Sequence, residues 1–216
     1  MTGSRAPIAA ATVVAAIAVT LVALTLRQPD VATYTPTTAA PGAAGRALVG
    51  PILYTVDATA ADAWRNFSFR RGAVVDEAGD LAFKRYAIVA GPGAGLRDLG
   101  EIAFDRVRAV PADGYQSNEG AAEPRNPAIA SWYAYGFFTH VLTPRPHVWA
   151  VRTADGHYAK LEMVGYYCPG PQPGCPTFRY VYQGDGTTRL APLAIARRRR
   201  AWYGARRDDR RRAGPA

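Results

Sequence analysis

Histidine, methionine and cysteine are scarce in this chain: three His, two Met and two Cys in 216 residues. With so few soft or imidazole ligands, and no His pair at ligand spacing beside the cysteines, a structural zinc site is excluded. No Cys follows the N-terminal apolar run, so an anchor attached at a lipobox is excluded as well. A phosphate loop is also missing: Gly91 to Gly95 lacks the Lys and Ser/Thr that would cradle and charge-balance a nucleotide. No nucleophile motif appears, which argues against an enzyme.

Charge is missing where it would matter for nucleic acid. The formal net charge of +9 is concentrated at the C-terminus, where residues 197–216 hold nine Arg against Asp208 and Asp209, leaving residues 1–196 at +2. A body so nearly neutral has no broad cationic face for phosphates, and no nucleic-acid partner is expected.

What is present begins with Ile8 to Leu26, an uncharged run of Ala, Val, Ile, Leu and Thr bounded by Arg5 and Arg27. As a helix it spans about 28 Å, close to a hydrocarbon core. Leu24 to Arg27 offers a poor cleavage site, so the run reads as an uncleaved anchor. The chain divides into a short segment 1–7, a transmembrane anchor 8–26, a flexible Pro/Ala/Thr-rich linker 27–50, an all-β domain 51–190 and an Arg-rich tail 191–216. Cys168 and Cys175 close a short Pro/Gly loop and read as a disulfide. Closing such a loop contributes about 2–3 kcal/mol and needs an oxidising compartment, which places the domain outside the cytoplasm, periplasmic or extracellular.

Within the domain, β-rich runs recur at Ile52 to Val56, Trp64 to Phe69, Leu81 to Val89, Val148 to Thr153, Tyr158 to Tyr167 and Thr177 to Gln183. Asp155-Gly156 between two of them signals a tight hairpin, because Gly accepts the positive φ such turns require. In the second run Ala159, Leu161 and Met163 alternate with Tyr158, Lys160 and Glu162, predicting one buried face and one partly wet face. Phe178, Tyr180 and Tyr182 share a face of the last strand. No stretch of the domain shows helical periodicity, so antiparallel sheets are expected.

Several segments together resemble the HmuY family of bacterial haem-binding proteins: Asp80 to Tyr86, Trp132 to Tyr135, Thr139-His140 with Pro144 to Pro146, Val148 to Gly156, Tyr158 to Leu161, Tyr166-Tyr167 and Thr177 to Gln183. The resemblance implies an all-β fold displayed outside the cytoplasmic membrane, with haem or a related tetrapyrrole as ligand and two axial side chains holding it. It does not carry the axial residues over, because these vary within the family.

Haem iron accepts His, Met, Cys or Tyr. His140, after the aromatic stretch Trp132 to Phe138, and His147, after Pro144 to Pro146, are the axial candidates; as structural residues they would belong to the motif and cap a strand. His157 follows the Asp-Gly turn and is expected to face solvent, while Met163 is expected in the core. Trp132 and Tyr135, with Tyr133, Phe137 and Phe138, are candidates for an apolar wall against a flat ligand, although dense aromatics are also ordinary sheet packing. Arg145 and Arg152 are candidates for a propionate or for a solvated face. The Arg-rich tail reads as a disordered end, an anionic-lipid contact or a contact with a larger membrane complex. Two functions follow: a non-catalytic, membrane-anchored binding protein for haem or a related tetrapyrrole, or an accessory subunit using the same scaffold for protein contact without a ligand.

Overall fold

The computed structural model describes residues 6–25, 30–38 and 48–191. An N-terminal helix, α1 (Ala6–Thr25), precedes eleven strands. These are β1 (Leu48–Thr55), β2 (Arg65–Ser68), β3 (Ala73–Val75), β4 (Leu81–Lys84), β5 (Ala87–Ala90), β6 (Gly95–Asp98), β7 (Tyr133–Tyr135), β8 (Leu142–Pro144), β9 (Val148–Arg152), β10 (Tyr158–Cys168) and β11 (Gln172–Gln183). One 3-10 turn, Phe104–Arg106, lies between β6 and β7. Of α1, side chains are described for 10–22, and among the described residues no helix is long and apolar enough to cross a membrane. The span expected at 8–26 extends past those side chains at both ends, so a membrane crossing is not established. The Arg-rich tail lies outside the described residues from 192 onward.

The strands form a five-stranded sheet in the order β1-β11-β10-β9-β6, a four-stranded sheet in the order β3-β2-β4-β5, and the separate β7–β8 ribbon. All pairings between these strands are antiparallel. Asp155-Gly156 turns β9 into β10 as the sequence requires, with Gly156 at φ 81°. The expected disulfide forms between Cys168 and Cys175 and ties the end of β10 to β11.

Period-two alternation on β11 sends Phe178, Tyr180 and Tyr182 to one face, and all three are buried. They meet Phe67 and Phe83 of the four-stranded sheet and Phe69 just beyond β2. Phe83 stacks on Phe178 with centroids 5.5 Å apart, Phe67 meets Phe178 edge-on at 5.2 Å, and Phe69 packs on Tyr180 at 5.3 Å. Edge and offset contacts suit the ring quadrupoles, and each fully buried ring adds about 1.5–3 kcal/mol of transfer free energy. This aromatic layer joins the two sheets.

The opposite face of the larger sheet departs from expectation. Lys160 is buried, with Nζ donating to the carbonyls of Phe104 (2.6 Å) and Val107 (2.7 Å) and lying 4.2 Å from the Phe104 ring centroid. The 3-10 turn and the segments around Val110 and Leu190 cover that face and build a second small core with Val148, Ala150 and Val181. Burial pulls the Lys160 ammonium below its usual pKa, with Asp105 opposing. A period-two pattern cannot reveal a loop arriving from sixty residues away.

The expected linker also differs in part. Residues 30–38 form a strap on the larger sheet: Thr33 makes a parallel bridge to Tyr167, Tyr34 N–H donates to the Tyr167 carbonyl (2.8 Å), and Thr37 N–H donates to the Thr55 carbonyl (2.9 Å). The physical reason is the edge of β10, whose pairing with β9 ends at Glu162 and leaves the following backbone groups without that neighbour. Gly165 makes room for the Tyr34 ring, since a Cβ there would fall 2.2 Å from it.

At the other end of β10 a polar cluster links the sheets. Arg70, beyond β2, pairs with Asp155 in the β9–β10 turn, and His157 Nδ1 lies 3.1 Å from Asp155 and 3.2 Å from the Tyr182 hydroxyl. His157 is thus packed against β11 and not turned to solvent as expected. Asp80 accepts from the Phe69 N–H (2.8 Å); its burial pushes the carboxyl up to about 6, and nearby Asp155 adds to the rise.

Phe178→Ala is expected to destabilise the domain by about 3–5 kcal/mol, read from urea unfolding. Asp80 holds its proton in the folded state to about pH 6, whereas in the unfolded chain it loses it near 3.8. Its contribution is therefore most favourable below about pH 4, declines as pH rises to about 6, and is flat above. Asp80→Asn keeps the acceptor for Phe69 without ionising. Its stability relative to the parent should rise across that window, and parallel urea midpoints at pH 4.5 and 7.5 would contradict this.

Candidate functional site

The β7–β8 ribbon stands apart from both sheets and carries the unabsorbed aromatic residues. Its register pairs Tyr133 with Pro144, Ala134 with Thr143 and Tyr135 with Leu142. Trp132 anchors its base: the side chain is fully buried against Tyr133 and Tyr166, and the indole N–H donates to the Tyr86 carbonyl (2.8 Å). Trp132 is therefore a core residue, the packing alternative of the two that the sequence offered for it. Leu142 N–H donates to the Tyr167 hydroxyl (2.9 Å), which ties the far end of the ribbon to β10.

The turn 136–141 is closed by Gly136 N–H to the Val141 carbonyl (2.8 Å) and His140 N–H to the Gly136 carbonyl (2.7 Å). His140 takes φ 54°, a left-handed conformation that His tolerates better than most side chains. This backbone returns the imidazole toward β7, where Nδ1 hydrogen-bonds with the Tyr135 hydroxyl. Phe137 and Phe138 project outward at 75% and 93% relative exposure. Exposure of that degree on two adjacent large apolar rings marks a surface with something to contact.

His147 is placed differently. It follows β8 at the opposite end of the ribbon, with Nδ1 3.0 Å from Asp98 Oδ2 and its ring stacked at 5.8 Å on Trp149. The two axial candidates therefore lie at opposite ends of one ribbon. Arg145 Nε donates to the Tyr133 carbonyl (3.2 Å), Arg152 sits 5.8 Å from the Tyr115 ring centroid, and Met163 is buried in the core as expected.

Beside the ribbon lies a cleft of about 410 Å³ whose lining includes Trp64, Lys84, Arg85, Tyr86, Glu123 and Arg125. Lys84 Nζ stands 4.9 Å over the Trp64 ring. Arg85 is committed to structure, donating to the carbonyls of Thr59 (2.9 Å) and Pro173 (3.1 Å). Tyr86, on the cleft wall, meets Tyr133 edge-on at 5.9 Å. Tyr133 and Tyr135 lie two residues apart and share a strand face about 7 Å long. An aromatic face thus runs from the cleft to the Tyr135–His140 pair. Burial pushes the Tyr133 phenol above its ordinary pKa.

Chemically, this arrangement offers an imidazole and a phenol side by side, flat apolar surface, and cations at the cleft. Among the described residues no group of three or more His, Cys, Asp or Glu gathers to hold a bare metal ion. Sequence reasoning named both Tyr135 and His140 but could not pair them, because their contact depends on the turn that folds residue 140 back over 135. The cleft cations were not named as site residues: Lys84 lies within the Asp80 to Tyr86 segment that carries the resemblance, and Arg125 has no motif around it.

A family model described as HmuY protein matches residues 60–180. Among solved structures, an apo HmuY analogue from Tannerella forsythia superposes with a TM-score of 0.56 at 16% identity, covering 64% of this chain and 98% of that one. A Bacteroides vulgatus protein described as HmuY-like and haem-binding gives 0.54 at 19% identity, covering 61% and 91%. A Bacteroides fragilis protein described as a lipoprotein gives 0.53 at 18%, covering 61% and 88%. No curated protein sequence matches the chain. The structural likenesses share the fold of two antiparallel sheets, and since the family model spans more than half of the residues, this chain belongs to the HmuY family.

Proposed function

We propose that this chain is a membrane-tethered, extracytoplasmic binding protein for haem or a related tetrapyrrole, acting without chemistry of its own. The observation that carries the reading is the Tyr135–His140 pair at the tip of an aromatic ribbon, in a chain of the HmuY family. With Nδ1 engaged by the Tyr135 hydroxyl, His140 Nε2 is the nitrogen left for a metal. In the alternative the phenol oxygen is the donor and His140 Nδ1 takes its proton, the imidazole then holding no metal. Bound haem would bring an iron with axial positions to fill and a broad apolar ring. The face Tyr86–Tyr133–Tyr135 suits that ring, and Lys84 and Arg125 in the cleft suit its carboxylates.

The disulfide supports an oxidising compartment, and the apolar sequence of α1 supports a tether to the cytoplasmic membrane. The Arg-rich tail would add contact with anionic lipid or with a larger membrane complex.

Haemin titration of the full chain in detergent should give a saturable Soret shift. His140→Ala should weaken binding at least about tenfold and Tyr135→Phe should weaken it to a similar or smaller degree, the range expected for loss of a ligand or its hydrogen-bonding partner. His147→Ala should leave binding unchanged, since His147 lies at the opposite end of the ribbon from Tyr135 and His140. A featureless titration would turn the reading to an accessory subunit that packs its aromatic ribbon on a partner.

A further inference from the structure

We infer that the tip of the β7–β8 ribbon, Phe137 and Phe138, is a second membrane contact, inserted in the bilayer interface beside the point where α1 enters. The inference rests on the reading of α1 as an anchor and is independent of haem. Its first support is distance along the chain. Only residues 26–29 separate Thr25, the end of α1, from Asp30, where the strap begins. Fully extended, that connection reaches about 17 Å. The strap is bonded to the domain through Thr33, Tyr34 and Thr37, so it cannot pay out more chain without breaking those contacts. A domain on so short a lead lies against the membrane, whereas a free linker up to residue 50 would let it stand off.

The strap also sets which part of the domain is nearest. Its main chain is bonded to the main chain of Tyr167, and the hydroxyl of the same Tyr167 accepts from Leu142 N–H in β8. Strap and ribbon thus meet at the two ends of one side chain. Leu142 pairs with Tyr135, and the turn holding Phe137 and Phe138 begins at the next residue. The most exposed aromatic rings of the described domain therefore sit next to the anchor's exit.

The chemistry of the ribbon matches a bilayer interface. From Asn126 to Pro144 there is no Asp, Glu, Lys or Arg, so the ribbon carries no charge to drag into lipid. Exposed Arg145 follows that stretch and suits anionic headgroups, while Phe137 and Phe138 supply the apolar rings preferred at the interface. The β9–β10 turn at the opposite end of β10 is polar, with Asp155 and Arg70 at its surface, and faces away.

The test uses the full chain in vesicles of equal parts phosphatidylcholine and phosphatidylglycerol. Cys168 and Cys175 are bonded to each other, so an introduced Cys takes a bimane label alone. A label at Phe138→Cys should lose about twofold or more of its fluorescence when the lipid acyl chains are brominated, whereas a label at Ala154→Cys in the β9–β10 turn should be unaffected. Equal, negligible quenching at both positions overturns the inference. Failure of the chain to float with the vesicles after carbonate washing overturns it too, by removing the anchor on which it stands. No haem is present in the assay, so a negative haemin titration leaves its outcome untouched.

Discussion

The aromatic layer between the two sheets is the contact on which the remaining architecture depends. Phe178, Tyr180 and Tyr182 of β11 meet Phe67, Phe69 and Phe83, and the same β11 pairs with β1 on one side and β10 on the other. Loosening this layer would separate the sheets and also release the strand to which the disulfide and the polar cluster connect. Interiors packed at crystal density relax only partly around a lost ring, so the layer behaves as one unit.

The ribbon is held on this body by few points, and each is specific. Trp132 is sunk in the core with its indole N–H bonded to Tyr86, and Tyr167 reaches from β10 to the backbone of β8. Because the base is fixed, the tip can carry exposed aromatic rings and a strained His140 backbone without disturbing the sheets. A rigid scaffold presenting a short, apolar, irregular turn is the usual division of labour between fold and function. Here it places one imidazole, one phenol and two phenyl rings at a single extremity, near the strap that leads back toward α1.

Membership of the HmuY family and the geometry of the ribbon bear on different questions. The family match spans residues 60–180 and includes the ribbon, whereas the structural likenesses, at under 20% identity, show the fold alone. The Tyr135–His140 contact is a property of this chain's own turn. His147 also lies within the matched segment, at the other end of the ribbon, with Asp98 at its Nδ1 and its ring on Trp149.

Local sequence determined β1, β2, β4, β5 and β9 to β11, the Asp155-Gly156 hairpin, the disulfide and the buried face of β11, because each follows from alternation, turn chemistry or a short covalent loop, whereas the short β3, β6, β7 and β8 gave no such signal. Met163 in the core was legible for the same reason. Tertiary structure alone decided the rest. Lys160 became buried because a loop sixty residues upstream covers its face, and residues 30–38 became a strap because β10 outruns β9 and exposes an edge. Trp132 went to the core and not to a wall because its indole found the Tyr86 carbonyl. Tyr135 and His140 became partners only through a left-handed backbone at residue 140. Periodicity reports which face of an element is apolar, but it is silent on what arrives from elsewhere in the chain to cover that face and on how a short turn folds one side chain back on another.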